Sequence, residues 1–103
     1  MKPEIIKHGS DRKIQVIITD LPDDMTMEEI DFSVTFRAGG KTVSFEKSEL
    51  KHLDENIFVA PLVTGNLGLG DLWMETEVRI PDEDFEDGIR HELYDYHLNA
   101  LIV

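Results

Sequence analysis

Alternation between hydrophobic and polar residues dominates this chain, and it predicts a protein built from β-strands. Four segments, within residues 13–19, 31–37, 42–45 and 71–80, alternate with a period of two, as strands with one buried face do. The residues expected to point into a core are Ile14, Val16 and Ile18, then Phe32, Val34 and Phe36, then Val43 and Phe45, and finally Leu72, Met74, Thr76, Val78 and Ile80.

Three further segments are rich in strand-forming residues. A short strand is expected around Glu4 to Lys7, and another in NIFVAPLV (56–63). Because Pro61 lacks an N–H group, the latter strand is predicted to lie at a sheet edge or to end early. The C-terminal segment, IRHELYDYHLNALIV (89–103), contains neither Gly nor Pro and predicts one long strand, or two short ones divided near Asp95.

Turn signals separate these strands, and helical signals are few. AGGK (38–41) predicts a hairpin in which both glycines reach positive φ. Thr26 and Glu29 have the spacing of a capping box, which supports one helical turn before the next strand. A second helical turn is expected in EKSELKHL (46–53), with Leu50 and Leu53 facing inward.

About seven short strands separated by turns indicate the all-β class. We expect an immunoglobulin-like antiparallel β-sandwich, with a small β-barrel as the alternative. The 103 residues suffice for a single domain spanning 1–103. Because the chain has no cysteines, the disulfide of antibody domains is missing and only the architecture is predicted.

Charge excludes several classes of partner. The chain has 22 acidic and 10 basic residues, a formal net charge of −12, which would repel nucleic acid and anionic membranes. No segment approaches the roughly 20 apolar residues of a membrane span. The start, MKPEIIKHGSDRK, has no apolar stretch of signal-peptide length. We therefore expect synthesis and retention in the cytoplasm, or export within a larger assembly such as a virion.

The acidic segment IPDEDFEDGIRHE (80–92) raises the question of a calcium site. An EF-hand loop counted from its first aspartate needs Gly at position 6 and Glu at position 12. Here Gly88 comes one place late and a leucine occupies position 12. A looser calcium site remains open, and its weak candidates are Asp82, Asp84 and Asp87. We favour a solvated hairpin tip closed by an Asp-Gly turn, with Phe85 folding back on the core.

Other polar motifs give weaker signals of chemistry. Strand geometry places His91, Leu93, Asp95 and His97 on one face. Asp95 and His97 could be two metal ligands, with His8 or His52 as a third, but half-exposed strand positions are the favoured interpretation. The glycine spacing in GNLGLGD (65–71) matches no phosphate-binding loop. No serine lies in an activating turn, so we expect no enzymatic activity and no cofactor.

Three aromatic residues, Trp73, Tyr94 and Tyr96, are predicted to lie on the strand faces opposite the main core. They could form a contact patch for a protein partner or a sugar. They could instead form the second half of a sandwich core, and this second interpretation is favoured.

Two stretches carry a family resemblance. HGSDRKIQVIIT with DLPDDMTMEEIDFSVTFRAGGK resembles the opening of immunoglobulin-like modules in phage tail and baseplate proteins. LGLGDLWMETEVRIPDEDFEDGIRHE is similar to a pattern, G-x-G-x-L followed by I-P-D-x-D-F-x-D-G-x-R, of proteins encoded by gut-bacterial prophages and mobile elements. The resemblance implies a structural module of a virion or appendage without enzymatic activity. The residues that carry the resemblance lie mainly in turns, so the resemblance assigns no functional residues.

Two functional hypotheses follow from these observations. The first is a structural protein of a phage-type tail or baseplate that pairs or packs its exposed strand edges, above all the long C-terminal strand, with protein partners or with itself. The second is a binding module for carbohydrate or a cell surface, which uses the loops at one end of the sandwich and calcium.

Overall fold

The structure, a computed structural model, describes residues 2–19 and 21–103. Eight strands lie within this described part: β1 (Glu4–Ile6), β2 (Asp11–Ile17), β3 (Asp31–Ala38), β4 (Lys41–Glu46), β5 (Lys51–Asp54), β6 (Ile57–Val63), β7 (Gly70–Pro81) and β8 (Ile89–Ile102). The only helical segments among these residues are 3₁₀ turns at Met27–Glu29, Lys47–Glu49 and Thr64–Asn66. None of the described helical segments has the length and apolar character needed to cross a membrane.

The strands form two sheets that pack as a sandwich. A five-stranded sheet has the order β1-β8-β7-β3-β4, and a three-stranded sheet has the order β2-β6-β5. Every strand pair is antiparallel except β1 with β8, which is parallel. The predicted all-β sandwich is confirmed, and the alternative of a closed barrel is wrong. The count exceeds the expected seven because β5 was predicted as a helical turn.

The core lies between the two sheets and contains the residues that the alternation placed there. Phe32 from one sheet and Phe58 from the other meet edge to face, with ring centroids 4.9 Å apart. The inward-facing residues of β3 and β7 are all buried, and Ile14, Val43 and Phe45 are partly buried against them. This burial supplies most of the driving force for folding, since apolar area removed from water contributes about 25 cal/mol per Å².

The two predicted helical turns form, although each differs in detail. After β4 the chain makes one 3₁₀ turn and then enters β5, so Leu50 is buried while Leu53 is 53% exposed. The inward placement of Leu53 is therefore wrong, because a strand turns alternate side chains outward. In the earlier turn, Thr26 Oγ1 lies 3.4 Å from Glu29 Oε1 and makes no hydrogen bond to the turn backbone.

The strand that contains Pro61, β6, is the middle strand of the three-stranded sheet. The prediction that this strand lies at a sheet edge is therefore wrong. The strand pairing around Pro61 explains why a proline is tolerated in this middle strand. β5 pairs with β6 only as far as Lys51 opposite Val59, whereas Pro61 is opposite Lys13 of β2. At Pro61 the strand thus has a neighbour on one side only, and a missing N–H donor is tolerated there.

The hairpin between β3 and β4 forms as predicted. Ala38 pairs with Lys41, and the two glycines between them have φ angles of 57° and 79°. The loop before β7 lies against this turn, where Gly68 N–H donates to the Ala38 carbonyl at 2.9 Å. The glycines of the 65–71 segment thus belong to a closely packed connection, as its loop interpretation requires.

Candidate functional site

β8 has a described strand along nearly the whole of one edge but along only a short part of the other. It pairs with β7 from Ile89 to His97 and again at its end, whereas β1 covers only Ala100–Ile102. No strand of the described part of the chain lies beside the other edge of residues 89–98. We name residues 89–98 the open edge. The long C-terminal strand predicted from the sequence is confirmed as one strand.

A bulge separates the open edge from the part of β8 that β1 covers. Asp71 pairs with Leu101 and Trp73 with His97, so three residues of β8 lie opposite a single residue of β7. Within this bulge Asn99 has a φ of 51°, in the left-handed region. Bulges of this kind bend a strand and end its regular pairing. The open edge and the β1-paired end are therefore distinct parts of one strand.

The outer face of the open edge carries the four residues that the sequence placed together: His91, Leu93, Asp95 and His97. Their partners in β7 are Arg79, Glu77, Glu75 and Trp73, respectively. Leu93 is 64% exposed on this otherwise polar face. Charged side chains on an edge strand hinder indiscriminate pairing, while an exposed leucine at its centre offers a contact to a matching surface.

The inner face of the open edge corrects the prediction for the aromatic residues. Tyr94 is opposite Thr76, and Tyr96 is opposite Met74, both on the side that faces the core. The prediction that both tyrosines lie opposite the core is therefore wrong, whereas Trp73 does lie on the outer face. The three rings form no common patch. Tyr94 packs against the core, and Tyr96 remains 42% exposed.

Two charged clusters occupy the outer face of the five-stranded sheet. In the first, Arg79 binds three carboxylates, each within 3.1 Å: those of Asp31, Glu46 and Glu77. The imidazole of His91 joins this cluster through Glu77 at 3.3 Å and also contacts Asp87 at 3.1 Å.

These contacts shift the ionisation of the groups involved. Hydrogen bonds to Asp87 and then to Glu77 raise the pKa of His91 above its usual value. Reciprocally, the hydrogen bond to His91 lowers the pKa of Asp87. The pKa of Glu77 is lowered first by Arg79 and then by His91. A charged imidazole beside two carboxylates is thus the stable arrangement at mildly acidic pH.

The second cluster surrounds Trp73. The Arg37 guanidinium lies 5.2 Å from the indole centroid and also pairs with Asp95 at 3.2 Å. The His97 ring lies 4.8 Å from the indole, and its Nε2 lies 3.3 Å from Asp71. An open cleft of about 410 Å³ adjoins Arg37, Trp73 and the β3–β4 turn. Because the Arg37 guanidinium and the His97 ring both lie against the indole, this tryptophan is poorly placed to stack on a sugar ring.

The acidic loop between β7 and β8 uses its carboxylates to hold its own backbone. Asp82 accepts from the Asp84 N–H at 3.0 Å and also pairs with Arg90. Asp87 accepts from the Ile89 N–H at 3.0 Å. Gly88 adopts a φ of 75°, and its carbonyl accepts from the Asp82 N–H, which closes the loop. The predicted hairpin is confirmed, but its tip is a seven-residue loop that ends with Asp87 and Gly88, not a two-residue Asp-Gly turn.

Phe85 lies at this tip and is 47% exposed, so the expectation that it folds back on the core is wrong. The loop runs for seven residues between Pro81 and Ile89, which are paired with each other. A loop of this length carries Phe85 away from the sandwich, whereas a two-residue turn would have kept it close.

The histidines proposed as metal ligands do not come together. His8 Nε2 contacts the Leu67 carbonyl, and His52 stacks on Phe58 with centroids 4.4 Å apart. Asp95 and His97 share a face, but each is engaged in the cluster around Trp73. Across residues 2–19 and 21–103, no group of three or more histidine or acidic side chains is arranged to hold a metal ion.

The outer face of the three-stranded sheet carries a second exposed apolar surface. Ile17, Leu53 and Val63 are each about half exposed on this face. Pro61 and Leu53 line a shallow cleft on this face, with Lys13 and Lys51 beside them. The sequence alternation indicated an outward Ile17. The strand pairing places Ile17 and Val63 at opposite ends of this face, since Ile17 is opposite Ile57 and Val63 is opposite Asp11.

Comparison of the chain with protein-family models, with curated proteins and with solved structures found no match.

Sequence reasoning missed Arg37 and Arg79, which organise the two charged clusters. One signal could have found them. Both are outward positions of strongly alternating strands, in a chain with 22 acidic residues and few cations to balance them. An arginine in such a position is expected to gather carboxylates from the neighbouring strands.

Proposed function

We propose that the chain is a non-enzymatic protein-interaction module that binds its partner by strand pairing along the open edge. The observation that carries this proposal is the run of residues 89–98 with β7 on one side and no described strand on the other. Unpaired N–H and C=O groups along an edge are a template for an additional strand. The exposed Leu93 and Tyr96 would add side-chain contacts to such pairing.

We further propose that the module is immunoglobulin-like and belongs to a phage-type tail or baseplate assembly. The order β8-β7-β3 in one sheet and β2-β6-β5 in the other corresponds to the G-F-C and B-E-D orders of immunoglobulin-type sandwiches, which supports the first part. The assignment to a tail or baseplate rests on the resemblance of residues 8–41 and 67–92. A structural role through protein contacts is compatible with the strongly acidic surface.

The test measures mass in solution for the chain alone and with each product of the adjacent genes. Leu93→Lys is the disrupting variant. Leu69→Lys is its matched control, because Leu69 is 60% exposed but lies outside the open edge. We expect a complex that Leu93→Lys weakens at least tenfold while Leu69→Lys leaves it unchanged. Equal binding by both variants, or no complex of any kind, would overturn the proposal.

A calcium-dependent module for carbohydrate or cell surfaces is the other hypothesis from the sequence, and the loop contacts weigh against it. Asp82 and Asp87 already serve backbone N–H groups and the side chains of Arg90 and His91. Thermal unfolding with calcium and with EDTA tests it directly, since an ion that binds the native state must raise the melting temperature. We expect no difference between the two conditions.

A further inference from the structure

The sequence of the open edge is complementary to itself, and this identifies a partner. We propose that the open edge pairs with the open edge of a second copy of this chain, antiparallel, with Leu93 facing Leu93 across a two-fold axis. The pairing would join two five-stranded sheets into one continuous ten-stranded sheet. This inference rests on the proposed function, because it names the partner of the same edge.

Symmetry and strand geometry restrict the possible registers. In a continuous antiparallel sheet, directly opposite residues have side chains on the same face, so a two-fold axis must pass beside a single residue. The open edge spans residues 89–98, and its middle falls between Leu93 and Tyr94. Only an axis at one of these two residues uses the whole edge. An axis further along would run the second copy into β1, and an earlier one would leave at least three of the ten residues of the edge unpaired.

The register centred on Leu93 places no like charges opposite each other. On the outer face, His91 lies opposite Asp95 of the second copy, and this pair occurs twice by symmetry. The two Leu93 side chains, each 64% exposed in the single chain, meet at the axis. On the inner face, Arg90 lies opposite Tyr96 and Glu92 opposite Tyr94. Opposite charges and cation–aromatic pairs across neighbouring strands are both favourable.

The register centred on Tyr94 is worse at two positions. It places His91 opposite His97 of the second copy, so that two imidazoles face each other in place of an imidazole and a carboxylate. It also places Leu93 opposite Asp95, so that a carboxylate lies against the exposed leucine. Because like or mismatched pairs directly opposite each other are unfavourable, the Leu93 register is selected.

The net charge of −12 on each copy opposes association at long range. At about 0.15 M salt the screening length is about 8 Å, so distant charges contribute little while paired side chains in contact remain effective. The dimer should therefore be measured near this ionic strength.

Cysteine substitution tests the register, because the native chain has no cysteine. Residues directly opposite each other in neighbouring strands fall within the Cα separations that a disulfide spans. Leu93→Cys should therefore form a covalent dimer under mild oxidation by oxidised glutathione, at least tenfold faster than Leu69→Cys at equal concentration. Tyr94→Cys should cross-link no faster than Leu69→Cys, because in this register it faces Glu92.

Mass in solution supplies the second measurement. The unmodified chain should be a dimer, and Leu93→Lys should be a monomer with unchanged circular dichroism, while Leu69→Lys stays dimeric. A monomeric native chain overturns the two-fold pairing, and cross-linking that is fastest at residue 94 overturns the Leu93 register. A monomer that still binds an adjacent gene product through Leu93 overturns this inference alone and leaves the proposed function standing. A monomer that binds nothing overturns both.

Discussion

Gly68 and Gly39 lie so close that a Cβ atom on Gly68 would stand 2.6 Å from the Gly39 carbonyl oxygen. The contact joins two backbones, the β3–β4 turn and the loop that leads into β7, and neither can move like a flexible side chain. Gly68 N–H also donates to the Ala38 carbonyl beside it. The small size of glycine at position 68 is therefore required by packing.

Gly68→Ala should destabilise the protein by about 1–3 kcal/mol, the usual cost of forcing an extra carbon into a packed site. Gly65→Ala in the same loop is the matched control, since its nearest neighbour would be 3.8 Å away, an ordinary contact. Its effect should lie within roughly 0.5 kcal/mol. Urea unfolding of both variants measures the difference, and equal midpoints would contradict the packing argument.

Thr64→Val should destabilise the protein by about 1–3 kcal/mol, because it removes a buried hydroxyl that serves two backbone groups. Thr64 Oγ1 donates to the Ser10 carbonyl at 2.6 Å and accepts from the Gly9 N–H at 3.0 Å. Thr64→Ser retains the hydroxyl and should lose less stability than Thr64→Val. Chemical unfolding gives the comparison; a valine variant as stable as the native chain would contradict the hydrogen-bond argument.

Arg79→Gln should cost roughly 1–2 kcal/mol, since it leaves Asp31, Glu46 and Glu77 without their shared cation. Arg37→Gln is the comparison. Its ion pair with Asp95 joins two side chains that are each more than 40% exposed, so its loss should cost less than about 1 kcal/mol. Unfolding in urea at low and high salt measures both. The Arg79 effect should shrink with added salt.

The contribution of His91 to stability should depend on pH with a defined sign. Its pKa is raised in the folded state from 6.5, so its contribution is complete below that value and is lost as pH rises through the raised pKa. The pKa values of Asp87 and Glu77 are lowered, so their contribution is present above about pH 4.5 and is lost as pH falls.

The melting temperatures of the native chain and of His91→Gln should therefore differ most near about pH 5–6 and converge by about pH 9. A difference that is constant over this range would exclude the imidazole charge as its source. Following the His91 ring by NMR titration would give the folded pKa directly, and Asp87→Asn should bring that pKa back toward its usual value.

The sequence predicted the strands whose two faces differ strongly. In β3, phenylalanine and valine alternate with polar residues, so the alternation alone identifies its inner face. β8 alternates tyrosines with His91, Leu93 and Asp95, so both faces are partly apolar and partly charged. The face that meets the core is decided by its pairing with β7, which the local pattern does not contain.

Contacts between residues that are far apart in the sequence could not be predicted from the local pattern either. The pairing of Arg37 with Asp95 joins residues 58 positions apart and depends on the register of β3 with β7 and of β7 with β8. β5 was missed because its four residues are all exposed and give no inward face. The exposed Phe85 likewise follows from the length of a loop, which propensity alone did not determine.

The three-residue contact between β1 and the end of β8 gives one strand two different exchange behaviours. The N–H of Val103, directly after β8, donates to the Ile6 carbonyl of β1 at 2.9 Å and should exchange with solvent only when β1 detaches. Outward amides of the open edge should exchange rapidly in a single chain and slowly once a partner strand is bound. Release of β1 would lengthen the open edge by three residues, so this short strand sets the point at which a bound strand must stop.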